Sequence, residues 1–209
     1  FITRTDRVRT NRLRDRLKRG TVPQHVSIIM DGNRRFAWSQ DMEKEVGHQH
    51  GKDKLKEVMD WVLELGIPYL TVYALSTENV TDRASEELSA LYALYVAGFD
   101  EIRSDPKIHS RKVKVQAVGR IELLPDEVQA AIKRAETDTA DYDKFLFTVC
   151  LAYGGREEIV DAVREVAVEH AKGEISLEDI NTETISKRLY TADLPDPDLV
   201  IRTSGEERI

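Results

Sequence analysis

Sulfur chemistry is almost absent from this chain. Cys150 is its one cysteine, so no disulfide can form within it and a disulfide-stapled secreted scaffold is excluded. The residue sits in the apolar run 145–151, where a buried thiol is expected, and this usage fits a reducing, cytoplasmic setting. Long hydrophobic runs are lacking too. Nothing approaches the roughly 20 consecutive apolar residues of a membrane-spanning helix, and the N-terminus lacks the pattern of a secretory signal peptide. No G-x-x-x-x-G-K-[ST] occurs, which excludes a P-loop NTPase, and no G-x-G-x-x-G for a dinucleotide. Without a G-x-S-x-G elbow, and with the one cysteine in a predicted strand, covalent hydrolase chemistry is not expected.

What the chain does have is charge, unevenly placed. The net charge of −7 combines a basic stretch at residues 1–20, where eight Lys/Arg meet only Asp6 and Asp15, with an acidic remainder. Val8, Leu13 and Leu17 are the apolar anchors of that stretch, which suits an anionic membrane surface. A solvated helix or a partly disordered tail fits equally well. Nucleic acid is not an expected partner, because no aromatic residues interleave with these charges. The chain therefore divides into a basic arm, residues 1–22, and one globular domain, residues 23–209, long enough to bury a sizeable core.

Within the domain, strand-length apolar runs at 25–30, 69–76, 113–118, 144–151 and 199–203 alternate with helical patterns at 48–65, 84–104, 125–139, 155–172 and 182–190. This alternation predicts an α/β fold, an open and mostly parallel sheet with helices on both faces. Ligands of such sheets bind outside the carboxyl ends of the strands. Four strands end there in polar loops. The first is Asp31-Gly32-Asn33-Arg34-Arg35-Phe36, in which a carboxylate and a flexible turn precede two arginines that open a helix. A diphosphate suits the N–H groups of a helix start flanked by arginines, with Asp31 available for its Mg²⁺; a β-turn with a solvated Arg pair is the plainer alternative. The second loop is Ser76-Thr77-Glu78-Asn79, the third Tyr153-Gly154-Gly155-Arg156 and the fourth Arg202-Thr203-Ser204-Gly205-Glu206-Glu207-Arg208. The fourth reads as a second anion site or as an ion-paired surface loop, and two anion loops on one sheet suggest two phosphorylated substrates.

Other stretches narrow the chemistry. His48 and His50 are two apart, so they do not share a helix face and do not make a paired-His metal site. The acidic stretch 193–198 contains Pro195 and Pro197, which forbid helical stacking of its carboxylates; it reads as a turn before the last strand. Residues 88–102 are apolar nearly all round a helix, a pattern of core packing or of the wall of a tunnel for a hydrocarbon chain.

Taken together these blocks resemble the cis-prenyltransferase family, which includes undecaprenyl and dehydrodolichyl diphosphate synthases. The likeness runs from His25 to Ile209. Its motifs are His25-Val26-x-Ile28-Ile29-Met30-Asp31-Gly32-Asn33-x-Arg35, Gly47-His48-x-x-Gly51, Tyr73-Ala74-x-Ser76-x-Glu78-Asn79, Tyr153-Gly154-Gly155-Arg156 and Asp198-Leu199-Val200-Ile201-Arg202-Thr203-x-Gly205-Glu206-x-Arg208. The resemblance implies a Mg²⁺-dependent enzyme that condenses an allylic prenyl diphosphate with isopentenyl diphosphate, usually as a homodimer with a hydrophobic tunnel. It implies Mg²⁺ on Asp31, the allylic diphosphate on Gly32, Asn33, Arg34, Arg35 and Phe36 with His48 nearby, and the isopentenyl diphosphate on Arg202 and Arg208. Ser76 and Asn79 would lie between the substrates. Lys44 stands where bacterial members carry an Arg, and Arg83 matches the family's arginine only if one residue is inserted after the Ser-x-Glu-Asn block. A further phosphate-binding Ser and a second Mg²⁺-binding Glu of the family would lie beyond Ile209. Two other readings stay open: transfer of the prenyl group to a different acceptor, and a non-catalytic subunit of a two-component prenyltransferase.

Overall fold

A computed structural model describes residues 12–17 and 19–205. The rest of the basic arm, and Arg208, lie outside the described residues. Five parallel strands form one sheet in the order β3-β4-β2-β1-β5. They are β1 (His25–Ile29), β2 (Tyr69–Tyr73), β3 (Val113–Val118), β4 (Phe145–Cys150) and β5 (Leu199–Arg202). Central strands of a parallel sheet are covered on both faces, which is why HVSII and YLTVY read as nearly unbroken apolar runs. The register matters most for function. Ile29 pairs with Tyr73 and Arg202, and Tyr73 and Val118 both pair with Cys150, so the strands end level and deliver their loops to one rim.

The helices are α1 (Asn33–Ser39), α2 (Lys44–Leu65), α3 (Thr77–Asp82), α4 (Ser85–Ser104), α5 (Pro106–Arg111), α6 (Asp126–Asp138), α7 (Gly155–Ala171) and α8 (Thr182–Ser186). The helix expected from residue 48 starts four residues earlier, at Lys44, so His48 lies inside it rather than at its mouth. α3 and α5 were not legible as helices. At six residues each they are too short for an apolar period to show. Local chemistry makes them instead: the Ser76 hydroxyl caps α3 by accepting from Asn79 N at 3.1 Å, while α5 starts with Pro106 behind an Asp105 cap. The last helix stops at Ser186, short of residue 190.

The core forms where Val26, Ile28, Leu70, Val72, Phe147 and Val149 of the sheet meet the helices. α6 contributes the stripe Val128, Ala131, Ile132 and Ala135, spaced as one helical face. Cys150 is buried, and burial pushes its thiol up, with Glu158 adding to the effect. Two motif residues prove to serve the fold. The buried His25 ring bonds the Pro195 carbonyl at 2.6 Å and the Thr71 hydroxyl at 2.8 Å. Asp198 Oδ2 accepts from the N–H groups of Gln24 at 2.6 Å and His25 at 3.0 Å. The acidic stretch before β5 is thus a turn, as expected, and it stitches β5 to the start of β1. No helix among the described residues is long and apolar enough to cross a membrane.

Candidate active site

The chain leaves β1 through Met30 and Asp31 and turns at Gly32, whose φ of 87° is left-handed backbone. A Cβ at Gly32 would sit 2.5 Å from the Ser204 Cβ, so glycine lets the β1 and β5 loops touch. Thr203 completes that contact: its hydroxyl accepts from Asp31 N at 2.8 Å and lies 2.6 Å from the Asp31 carbonyl. Arg202 reaches Asp31 Oδ2 at 2.9 Å, and Arg35 stands 3.4 Å from the same oxygen while donating to the Ser204 hydroxyl at 2.9 Å. Burial raises the Asp31 pKa, but hydrogen bonds from Arg202, Gly32 N–H and Ser204 outweigh it and hold the carboxyl below its usual range. The two arginine loops, which in sequence suggest separate anion sites, therefore adjoin at one carboxylate.

From this point a cavity of about 1340 Å³ runs into the molecule. Its polar lining includes Asp31, Gly32, Asn33, Arg34, Arg35, His48, Ser76, Asn79, Arg83, Tyr153 and Arg202. Its apolar lining includes Leu63 of α2, Leu91, Leu94, Tyr95 and Phe99 of α4, and Phe147 and Val149 of β4. The Tyr95 hydroxyl donates to the Ala74 carbonyl at 3.2 Å, which turns its ring toward the apolar part. Tyr73 and Tyr153 meet edge to face at 5.1 Å near the rim. Burial, with Cys150 and the Glu158 carboxylate nearby, pushes Tyr73 up to about 12, so it stays protonated.

Not every expected residue reaches this wall. Phe36 is exposed, meets His50 edge to face at 5.9 Å and lines an adjoining hollow of about 510 Å³ that shares Asp31, Gly32, Asn33 and Arg35 with the cavity. Helical geometry explains it: Arg34, Arg35 and Trp38 share the cavity side of α1, and Phe36 falls between them on the other. Lys44 does not line the cavity either. Its Nζ lies 3.5 Å from Glu87 Oε2, behind the wall. Arg83, despite the inserted residue, points to the cavity and donates to Glu87 Oε1 at 2.8 Å.

Glu87 is the residue that sequence reasoning missed. It is 4% exposed and gathers Arg83, His48 at 3.4 Å, Lys44, and Arg34 at 3.8 Å. Burial raises its pKa, yet Arg83, His48, Arg34 and Lys44 together hold it below the usual range. His48 is lowered, chiefly by burial, which favours the neutral ring. In sequence, Glu86-Glu87 looks like the ordinary acidic first turn of a helix. The signal available was spacing, since Arg83-x-x-x-Glu87 and Lys44-x-x-x-His48 each face one way.

An arginine-lined rim that opens on a cavity with many apolar side chains suits an enzyme that handles prenyl diphosphates. A family profile described as "Putative undecaprenyl diphosphate synthase" matches residues 29–209. The chain belongs to the cis-prenyltransferase family. It is 50% identical over 197 residues, 94% of its length, to the tritrans,polycis-undecaprenyl-diphosphate synthase (geranylgeranyl-diphosphate specific) of Methanopyrus kandleri, of which it covers 72%. The protein of the same name from Methanocaldococcus jannaschii is 49% identical over 199 residues, 94% of this chain and 71% of that one. Among solved structures, lavandulyl diphosphate synthase from Lavandula x intermedia in complex with dimethylallyl diphosphate superposes with a TM-score of 0.84 at 34% identity, covering 89% of this chain and 79% of that one. The parallel sheet expected from the alternating pattern is the fold of this cis-prenyltransferase, and elongation of a prenyl diphosphate is its chemistry.

Proposed function

We propose that this chain condenses isopentenyl diphosphate with an allylic prenyl diphosphate, binding the allylic diphosphate on the β1 loop and the isopentenyl one on the β5 loop. The observation that carries the reading is a single cavity that joins the arginine-bearing strand-end loops to the apolar side chains Leu63, Leu91, Leu94 and Phe99 of α2 and α4, with Lys52, Lys56 and Glu101 of the same helices also in its lining. Gly32, Asn33, Arg34, Arg35 and His48 hold the allylic diphosphate, with Arg83 beside them. Arg202 and Arg208 hold the isopentenyl diphosphate. Ser76 and Asn79 lie between the two, and the growing hydrocarbon follows the apolar wall. Support for Arg83 comes from its place in the cavity lining beside His48, both held on the same oxygen of Glu87.

The residues present suit Mg²⁺. Among the described residues no three His, Cys, Asp or Glu side chains form a metal cage. Mg²⁺ at phosphates is commonly held by one or two carboxylates, with substrate oxygens completing its shell. Asp31, kept ionised at the rim, fits that role. When bound, Mg²⁺ would neutralise charge on the departing diphosphate. The protein's own contribution is to hold two anions side by side, so that the isopentenyl double bond attacks the allylic carbon as its diphosphate leaves. Arg34 and Arg35 stabilise the leaving group, and a proton is then lost from the new chain.

The archaeal relatives' names make geranylgeranyl diphosphate the first starter to test. A homodimer fits the apolar side chains Ile159, Val160 and Val163, all exposed on α7. Peripheral contact with a membrane from the cytoplasm fits the exposed Leu13 and Leu17 beside Arg12 and Arg16, on a segment anchored by Arg14 to Glu64 at 2.6 Å. The deciding experiment incubates full-length protein with labelled isopentenyl diphosphate, geranylgeranyl diphosphate and Mg²⁺. A long-chain diphosphate that disappears with EDTA is expected. Label on another acceptor would replace this reading by prenyl transfer elsewhere, and turnover only after adding a second chain would mark a non-catalytic subunit.

A further inference from the structure

Three separate pieces of chain send four basic side chains to one buried carboxylate. Arg34 comes from α1, Lys44 and His48 from α2, and Arg83 from the link between α3 and α4, while Glu87 stands in the first turn of α4. The two oxygens divide the work. Oε1 takes Arg83 at 2.8 Å and His48 at 3.4 Å, and Oε2 faces Lys44 at 3.5 Å and Arg34 at 3.8 Å. A carboxylate so deeply buried needs a counter-charge, but one cation would be enough for that. Here three permanent cations converge, and Arg34, His48 and Arg83 line the cavity while Glu87 does not. Burial also favours a neutral His48, so the cluster keeps an excess of positive charge toward the cavity. Three cations brought together without a carboxylate would repel one another and turn to solvent. With it, they are held before any anion arrives.

We infer that Glu87 is a positioning residue for the allylic diphosphate, holding Arg34, His48 and Arg83 as one preorganised grip, with Lys44 behind them, without touching the substrate itself. The inference rests on the assignment of this cluster to the allylic diphosphate. Preorganised donors spend no binding energy on collecting themselves, so the effect belongs in the affinity for one substrate and in the stabilisation of its departing charge. Arg202, assigned to the isopentenyl diphosphate on the other loop, is held by Asp31 at 2.9 Å, so the isopentenyl site is expected to stay as it is.

The test uses Glu87→Gln, which keeps size and hydrogen bonding but removes the charge, and Glu87→Asp, which keeps the charge on a shorter stem. Both are compared with the parent in steady-state kinetics toward each substrate. For Glu87→Gln the allylic KM rises about tenfold or more, with the isopentenyl KM within about twofold. Glu87→Asp recovers most of that loss, which a merely structural role would not require. An unchanged allylic KM in folded Glu87→Gln, or equal rises for both substrates, overturns the inference. If Glu87→Gln does not fold, Glu87→Asp decides: a rise of about threefold confined to the allylic KM is expected, and no rise, or an equal one for both substrates, overturns the idea. Arg34→Ala separates the two layers of the argument. A raised allylic KM there, beside a silent Glu87→Gln, overturns the role of Glu87 and leaves the site assignment standing. A raised isopentenyl KM in Arg34→Ala overturns the assignment and the inference with it.

Discussion

Asp31 is asked to stay ionised while two guanidinium groups compete for one of its oxygens, and that tension defines its chemistry. Arg202 and Arg35 share Oδ2, so the carboxylate couples the two substrate loops before either substrate is bound. Replacing Asp31 by Asn keeps the size and one acceptor but removes the charge, and turnover of the full-length enzyme is expected to fall by orders of magnitude. Substrate binding measured without metal should barely change, and near-normal turnover by the Asn variant would end the metal role. The paired arginines give a second expectation. Arg35→Ala should mainly raise the KM of the allylic substrate and Arg202→Ala that of isopentenyl diphosphate. Because both touch Asp31, a small cross-effect is natural; equal effects on both constants would remove the basis for two sites. Sequence motifs made Asp31, Ser76, Asn79 and Arg202 legible, since strand-end loops of a parallel sheet converge whatever the side chains. They did not single out Glu87, because its four basic partners come from three elements that meet only in the folded chain.

The strands were readable to within about three residues at their ends because buried parallel strands leave a dense apolar signature. Short helices were not, since Ser76 and Pro106 start them by local capping rather than by periodicity. The apolar stretch of α4 is graded in a way that sequence left open: Leu91, though at the cavity wall, is only 4% exposed and packed in the core, whereas Leu94 and Tyr95 are half-buried along the cavity. The core and tunnel readings therefore apply to different positions of one helix. Leu94→Trp should shorten the polyprenyl product, and Leu94→Ala should lengthen it or leave it unchanged, each with little change in thermal midpoint. Leu91→Ala should instead open a gap costing roughly 2–5 kcal/mol, visible as a lower midpoint. Product analysis by mass spectrometry beside thermal melts of all three variants checks this. Unchanged products throughout, with loss of stability at Leu94 as well, would make α4 core alone.

The molecule as a whole leaves apolar surface where a single domain has no use for it. α7 buries Ala162 and Val166 on one face, while Ile159 and Val163, four residues apart, stay 53% and 49% exposed on another. Strand β5 closes one edge of the sheet with Leu199, Val200 and Ile201 all exposed, a row that in isolation invites pairing. Scattered single apolar residues on a surface mean little, but a helical row of them is unusual in a chain with so many charges. A second copy of the chain is the partner proposed for this face, and a stable dimer generally buries about 1,200–2,000 Å² in total. The direct check is light scattering behind size exclusion at micromolar concentration, where the parent protein should give twice the mass of one chain. Ile159→Asp combined with Val163→Asp puts two carboxylates into the contact, where neither would have a partner, and should yield monomers. Both positions face solvent within one copy, so circular dichroism and the cavity residues should be unaffected. A parent protein that runs as a monomer, or a double variant that stays dimeric, would move the interface elsewhere or remove it.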